Sequence, residues 1–121
     1  MINYVNVRPE HLNFHGYLFG GEMLKWLDEF GWMAASRDFP GGTFVTVAID
    51  DIVFKNRVVN GSILRFVIEP EKIGGKSVTY SVVVLCDEPG AMDEKEVFSS
   101  KITFVNIGPD GKAIPLPPRK L

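Results

Sequence analysis

Few residues in this sequence are suited to acid–base work, and the best placed is Asp28. It stands in the one strongly helical stretch, which opens at Phe19-Gly20-Gly21 and runs to about Arg37. Advancing about 100° per residue, Met23, Leu24, Trp26, Leu27, Phe30, Gly31, Ala34 and Ala35 cover roughly half of the helix circumference or more. Glu22, Lys25, Glu29 and Ser36 form the opposite polar stripe, with Trp32 and Met33 at its margins. Asp28 falls on the seam where the apolar face begins. Two readings follow. In one, it is a solvated carboxylate or a partner for nearby Lys25. In the other, partial burial raises its pKa toward that of a useful base. The Gly20-Gly21 pair lets a ligand approach the backbone closely, and the free N–H groups of a helix start suit an oxyanion. Asp50 and Asp51, on a long strand, are weaker carboxylate candidates, one able to face a pocket and the other water.

Other chemistry-bearing residues fall away on inspection. His11 and His15 have a metal-compatible spacing for a helix, but Pro9, Asn13 and Gly16 argue against a helix there, and no third ligand is evident. Gly75-Lys76-Ser77 resembles the end of a phosphate-binding loop. That pattern needs a glycine where Pro70 stands and a helix where a strand follows. It reads instead as a turn, with Lys76 able to meet a phosphate as a point charge. Cys86, the one cysteine, lies in a strand with no activating base nearby and reads as a core filler. No serine nucleophile motif is present.

The elements that must position Asp28 follow from patterning. Ile2–Val7 reads as a short strand and Phe39-Pro40-Gly41-Gly42 as the stop of the helix. Thr43–Phe54 is a long strand, apolar on both faces, as an inner or interface strand would be. Alternation then marks strands at Ser62–Ile73, Lys76–Cys86 and Glu96–Ile107, separated by turns at Asn60-Gly61 and Gly74-Gly75 and by the Asp87–Glu94 loop. The tail from Pro115 to Leu121 reads as an extended surface segment. The order is β-α-β-β-β-β: an α+β domain in which a mostly antiparallel sheet wraps one helix. The 121 residues, 45% hydrophobic, suit a single domain over 1–121 with a proper core. A net charge of −2 argues against a nucleic-acid binder. No stretch is long and apolar enough to span a membrane, and no signal pattern opens the chain, so a cytoplasmic location is expected.

The residues Pro9, Asn13, Gly16 and Phe19-Gly20-Gly21, followed by Trp26-Leu27-Asp28-Glu29, resemble the signature of the hot-dog-fold acyl-CoA thioesterases of the cytosolic acyl-CoA hydrolase type. Val45-Thr46-Val47, Phe54, Gly61, Gly75-Lys76-Ser77 and Phe104-Val105 also match in order. The sequence departs at Leu12, Asn56 and Ser62, where the family usually has Thr, Pro and Asp. The resemblance implies a hot-dog fold, with dimers that share a continuous sheet, often as trimers of dimers, and an active site between protomers. It implies hydrolysis of acyl-CoA without any cofactor beyond the CoA of the substrate. In the implied roles, Asp28 is the catalytic carboxylate, Asn13 its partner from the facing protomer, and Thr46, Val47 and Gly75-Lys76-Ser77 contact CoA. Gly20 and Gly21 offer backbone N–H groups to the oxyanion. Phe19, Phe54 and the wide apolar helix face offer the acyl chain a place to lie. Two other readings are a non-catalytic acyl-thioester sensor and a thioesterase for carrier-protein substrates docked on Lys112, Arg119 and Lys120. A hydratase would favour a histidine on the helix, where there is none.

Overall fold

The computed structural model describes residues 1–120, so only the last residue of the tail and of the expected domain lies outside it. In chain order come β1 (Ile2–Asn6), a 3-10 turn at Pro9–His11, α1 (Gly20–Asp38), β2 (Phe44–Phe54), β3 (Ile63–Ile73), β4 (Ser77–Asp87) and β5 (Lys95–Asn106). The strands form one antiparallel sheet in the order β1-β3-β4-β5-β2. Helix α1 packs against β2, β3, β4 and β5. This is the hot-dog arrangement expected above.

Burial explains why these elements form. On β4, Val78, Tyr80, Val82 and Val84 are fully buried, as are Leu64, Phe66, Ile68 of β3 and Phe98, Ile102, Phe104 of β5. They meet Met23, Trp26, Leu27, Phe30, Ala34 and Ala35 from α1 in one core. The apolar helix face expected to hold an acyl chain is therefore consumed by the sheet, and the chain must lie elsewhere. Cys86 joins this core as expected, and burial pushes its thiol above the ordinary range. At the end of the helix the buried Tyr80 hydroxyl donates to Asp38 Oδ2 at 2.8 Å. Burial, then that bond, push the Tyr80 phenol upward. The chain reverses at Pro40-Gly41, where Gly41 has φ +92°, and β2 runs back along the helix.

Of the two expectations for β2, the inner strand is excluded and the interface strand stays open. Among the described residues β2 lies at the sheet edge and pairs β5 alone. Apart from Phe44 it is mostly open: Val45, Val47, Ile52, Val53 and Phe54 are all exposed. Its two-sided apolar pattern is not satisfied by its own chain.

Gly31 sets how closely α1 can approach β5. A Cβ there would lie 3.0 Å from the Phe104 ring and 3.1 Å from the Ile102 side chain. Both side chains are fully buried and cannot give way. Gly31→Ala gains up to about 1 kcal/mol in helix propensity, but overpacking costs about 1–3 kcal/mol. A lower urea midpoint is the expected net result, read against Gly75→Ala, whose Cβ meets nothing within 4 Å.

Candidate functional site

Because β2 returns along α1, the two ends of the strand meet different parts of the helix, and the candidate residues divide into two groups. The first is built around Asp28. Its Oδ1 accepts the Thr46 hydroxyl at 2.5 Å, so the catalytic candidate and one of the expected CoA contacts are joined directly. Lys25, Glu29 and Trp32 complete a shallow depression of about 360 Å³ around them. Lys25 does not neutralise Asp28, since its Nζ pairs with Glu22 at 2.9 Å. Among the described residues no cation is bridged to Asp28. Of the two readings of Asp28, its own chain gives the exposed carboxylate and not the partly buried one. The sheet covers neighbouring Leu27 and Gly31, while Asp28 emerges on the outer side and is exposed. Any burial of this carboxylate has to come from outside the chain.

The second group surrounds a groove of about 590 Å³ between the helix start and the end of β2. Leu18, Met23, Phe54, Val58 and Val97 line its apolar interior, with Gly20 on its wall and Asn13, Tyr17, Lys55 and Arg57 among its polar residues. The Gly20 backbone is packed by Phe54, whose ring would lie 3.5 Å from a Cβ there. Gly21 has a nearer reason to lack a side chain, because a Cβ would collide with the Phe19 ring at 2.4 Å. Glu22 and Met23 donate their N–H groups to Phe19 O. The Gly20 and Gly21 N–H groups have no partner among the described residues and remain free to donate.

Asn13 has a more defined role than its type alone suggests. Its Oδ1 accepts the N–H of His15 at 3.0 Å and of Tyr17 at 3.2 Å. Its backbone N–H donates to Tyr17 O, and its carbonyl accepts from Gly16, which has φ +86°. Two backbone donors on one atom identify it as the amide oxygen. The acceptor is thus taken by the loop, and only the amide NH₂ is left to face a substrate.

Within one chain these groups do not meet. Gly20 and Asp28 are about 12 Å apart along the helix axis, and Asn13 belongs with Gly20. Val47 is exposed on β2 beyond Thr46. Gly75 and Lys76 are exposed, in a turn with Ser77 beginning β4. Their carbonyls are tied to Leu116 and Asn106, far from the groove at the other end of β2. Asp50 and Asp51 are exposed and line neither cavity, Asp51 lying 3.7 Å from Lys101 Nζ. His11 accepts the Arg8 N–H on Nδ1 and packs edge-on against Trp26, which is a structural use. The groove itself was not legible in sequence, because Val58, Val97 and Arg57 reach it only through tertiary folding. Trp32 had one signal, its i, i+4 spacing from Asp28.

Residues 15–92 match the family model of the thioesterase superfamily. A hexameric hotdog fold thioesterase of Campylobacter jejuni superposes with a TM-score of 0.83 at 30% identity, covering 94% of this chain and 87% of that one. An acyl-CoA hydrolase from Staphylococcus aureus, solved with butyryl coenzyme A, coenzyme A and coenzyme A disulfide, gives a TM-score of 0.87 at 25% identity over 98% of this chain and 71% of that one. The human cytosolic acyl coenzyme A thioester hydrolase is 26% identical over 113 residues, which is 92% of this chain. Curated relatives are longer than this chain, which spans 63% of the length of one at 29% identity and 30% of the human protein.

The two functions of the Asn13 side chain can be separated. Asn13→Asp keeps the acceptor that closes the loop, whereas Asn13→Ala removes it. Amide exchange at His15 and Tyr17 should rise about five- to tenfold in the alanine variant, from the loss of a hydrogen bond worth about 1 kcal/mol, and stay near wild type in Asn13→Asp.

Proposed function

This chain belongs to the thioesterase superfamily, and from that premise we propose that it hydrolyses acyl-CoA to free fatty acid and CoA, with Asp28 as general base or nucleophile. The observation that carries the reading is the state of Asp28: a carboxylate oriented by the Thr46 hydroxyl and, among the described residues, bridged to no cation and beside a strand edge without a partner. A structural carboxylate would be expected to pair with Lys25 or to wave in solvent. This one is held.

The chemistry follows from the groups present. As a base, Asp28 takes a proton from water while the water oxygen bonds to the thioester carbon. Negative charge gathers on the carbonyl oxygen, where the Gly20 and Gly21 N–H groups, at the positive end of the helix dipole, would stabilise it. The Asn13 amide offers a further donor. Collapse breaks the C–S bond, and the thiolate leaves with the proton that Asp28 holds. As a nucleophile, Asp28 would attack the carbon itself and expel the CoA thiolate, leaving a mixed anhydride; water would then hydrolyse the anhydride to the fatty acid and free Asp28, its proton ending on the thiolate. Neither route needs a cofactor beyond the CoA that the substrate carries.

The separation of the two groups is the reason to propose a homodimer. The exposed Val45, Val47, Ile52 and Val53 and the unpaired edge of β2 suit a second copy of that strand. An antiparallel pairing about the middle of β2 would set Thr46 and Asp28 of one copy opposite the Phe54 end, and hence the Asn13 groove, of the other. The site would then be assembled between copies, Asp28 would gain the burial its own chain withholds, and the acyl chain would enter the groove. A trimer of such dimers is the further assembly we propose, given the hexameric relative. A cytosolic location accords with this reading; among the described residues, no helix is long and apolar enough to cross a membrane.

Thiol release from a panel of short to long acyl-CoAs, with wild type and Asp28→Ala, tests the assignment. Wild type should turn over part of the panel, and the variant should lose about 10²–10⁴ in kcat with the oligomer intact. Equal rates would remove Asp28 from the mechanism. Saturable binding without turnover would favour a non-catalytic acyl-thioester binding module.

A further inference from the structure

At the groove mouth one cation is held with nothing among the described residues for it to neutralise. The Arg57 guanidinium carbon lies 4.8 Å from the centroid of the Tyr17 ring, in stacking range. The stack rests on fixed backbone, since Tyr17 and Val59 pair antiparallel and the Leu18 N–H donates to Val58 O at 2.8 Å. The polar neighbours are engaged: Lys55 pairs with Glu96, and the Asn56 amide donates to Glu96 O at 2.9 Å. Among the described residues, Arg57 has no carboxylate partner.

A stacked guanidinium keeps its rim of N–H donors free while losing little freedom on binding, which suits a phosphate far better than a free lysine does. The groove behind it is apolar, with Leu18, Met23 and Val58 on its walls. Such a cavity fits a molecule with an apolar or weakly polar stem and an anionic head that stays at the mouth. With a net charge of −2, the chain as a whole does not draw anions in, so the attraction has to be local. We infer that the stacked Arg57–Tyr17 pair at the groove mouth is a phosphate-recognising site that holds the nucleotide phosphates of the CoA moiety. The inference rests on the acyl-CoA reading for its substrate. It adds a contact to the CoA positions expected at Thr46, Val47 and Lys76, because within one chain the turn bearing Lys76 lies about 30 Å away, at the opposite end of β2.

Steady-state kinetics on an acyl-CoA and on the same acyl group carried by pantetheine, which lacks the nucleotide, tests this directly. Arg57→Met should raise KM for the acyl-CoA by about tenfold or more, as loss of a charge-assisted phosphate contact does, with kcat and the pantetheine KM little changed. Arg57→Lys should recover only part of the loss, and Tyr17→Leu, which removes the ring beneath the guanidinium, should follow Arg57→Met in direction. An equal loss on both substrates, or no loss on either, overturns the site. Calorimetric titration of free CoA keeps it separate from the hydrolysis reading. If the wild type hydrolyses neither substrate yet binds CoA about tenfold more tightly than Arg57→Met, the site stands and the activity falls. Equal CoA binding by both proteins overturns the site whatever the kinetics.

Discussion

Burial of the broad apolar face of α1 is the constraint on which the rest depends. Once Leu27, Ala34 and Ala35 are sealed against β3, β4 and β5, the rotation of the helix about its axis is set, and so is the direction in which Asp28 emerges. Gly31 permits the close approach that makes the seal. The hydrophobic effect, which is not directional, supplies most of what holds this arrangement. Two side-chain bonds between helix and sheet add direction, Tyr80 to Asp38 at the helix end and Thr46 to Asp28 at the edge. Helix rotation, strand position and carboxylate orientation are thus one packing decision.

A second consequence is that the chain is unfinished as a site. Asp28 stands at one end of β2 and the Asn13 groove at the other, each with part of what thioester chemistry needs. The carboxylate has an orienting hydroxyl and no apolar cover. The groove has apolar walls, free N–H groups and an amide donor, and among the residues that line it there is no carboxylate. The edge of β2 lies between them, exposed and apolar. Two copies related by a twofold axis would complete two such sites at once, and the odd pattern of β2 would have its reason.

Much of this was legible in the residues. Alternation placed β3, β4 and β5 within a residue or so, because every second side chain on Val78–Val84 is fully buried and the pattern has to be strict. The helix, its start at Gly20 and its end near the Phe39-Pro40-Gly41 turn were equally plain. For β2 the sequence left an inner and an interface strand open, because apolar residues on both faces read alike whether a strand is covered by its own chain or by another. The burial of Asp28 was left open for a related reason: helical periodicity locates a seam but not the point where a curved sheet ends. That the amide oxygen of Asn13 is taken up by its own loop, accepting the His15 and Tyr17 N–H groups, needed the fold of residues 13 to 17. The groove as a whole had no local signature, since its walls come from three separate stretches of the chain, 13–23, 54–58 and Val97.

Complementation between two defective chains addresses the shared site most directly. Asp28→Ala and Asn13→Asp would each be purified as weakly active oligomers, dissociated, mixed in equal amounts and reassembled. A site made between copies yields one intact site in each mixed dimer, so acyl-CoA hydrolysis should return to about a quarter of the wild-type rate for random pairing across a twofold interface. If the mixture stays as inactive as its parents while mixed oligomers form, Asp28 and Asn13 do not serve one site across the interface, and the account is wrong at its centre.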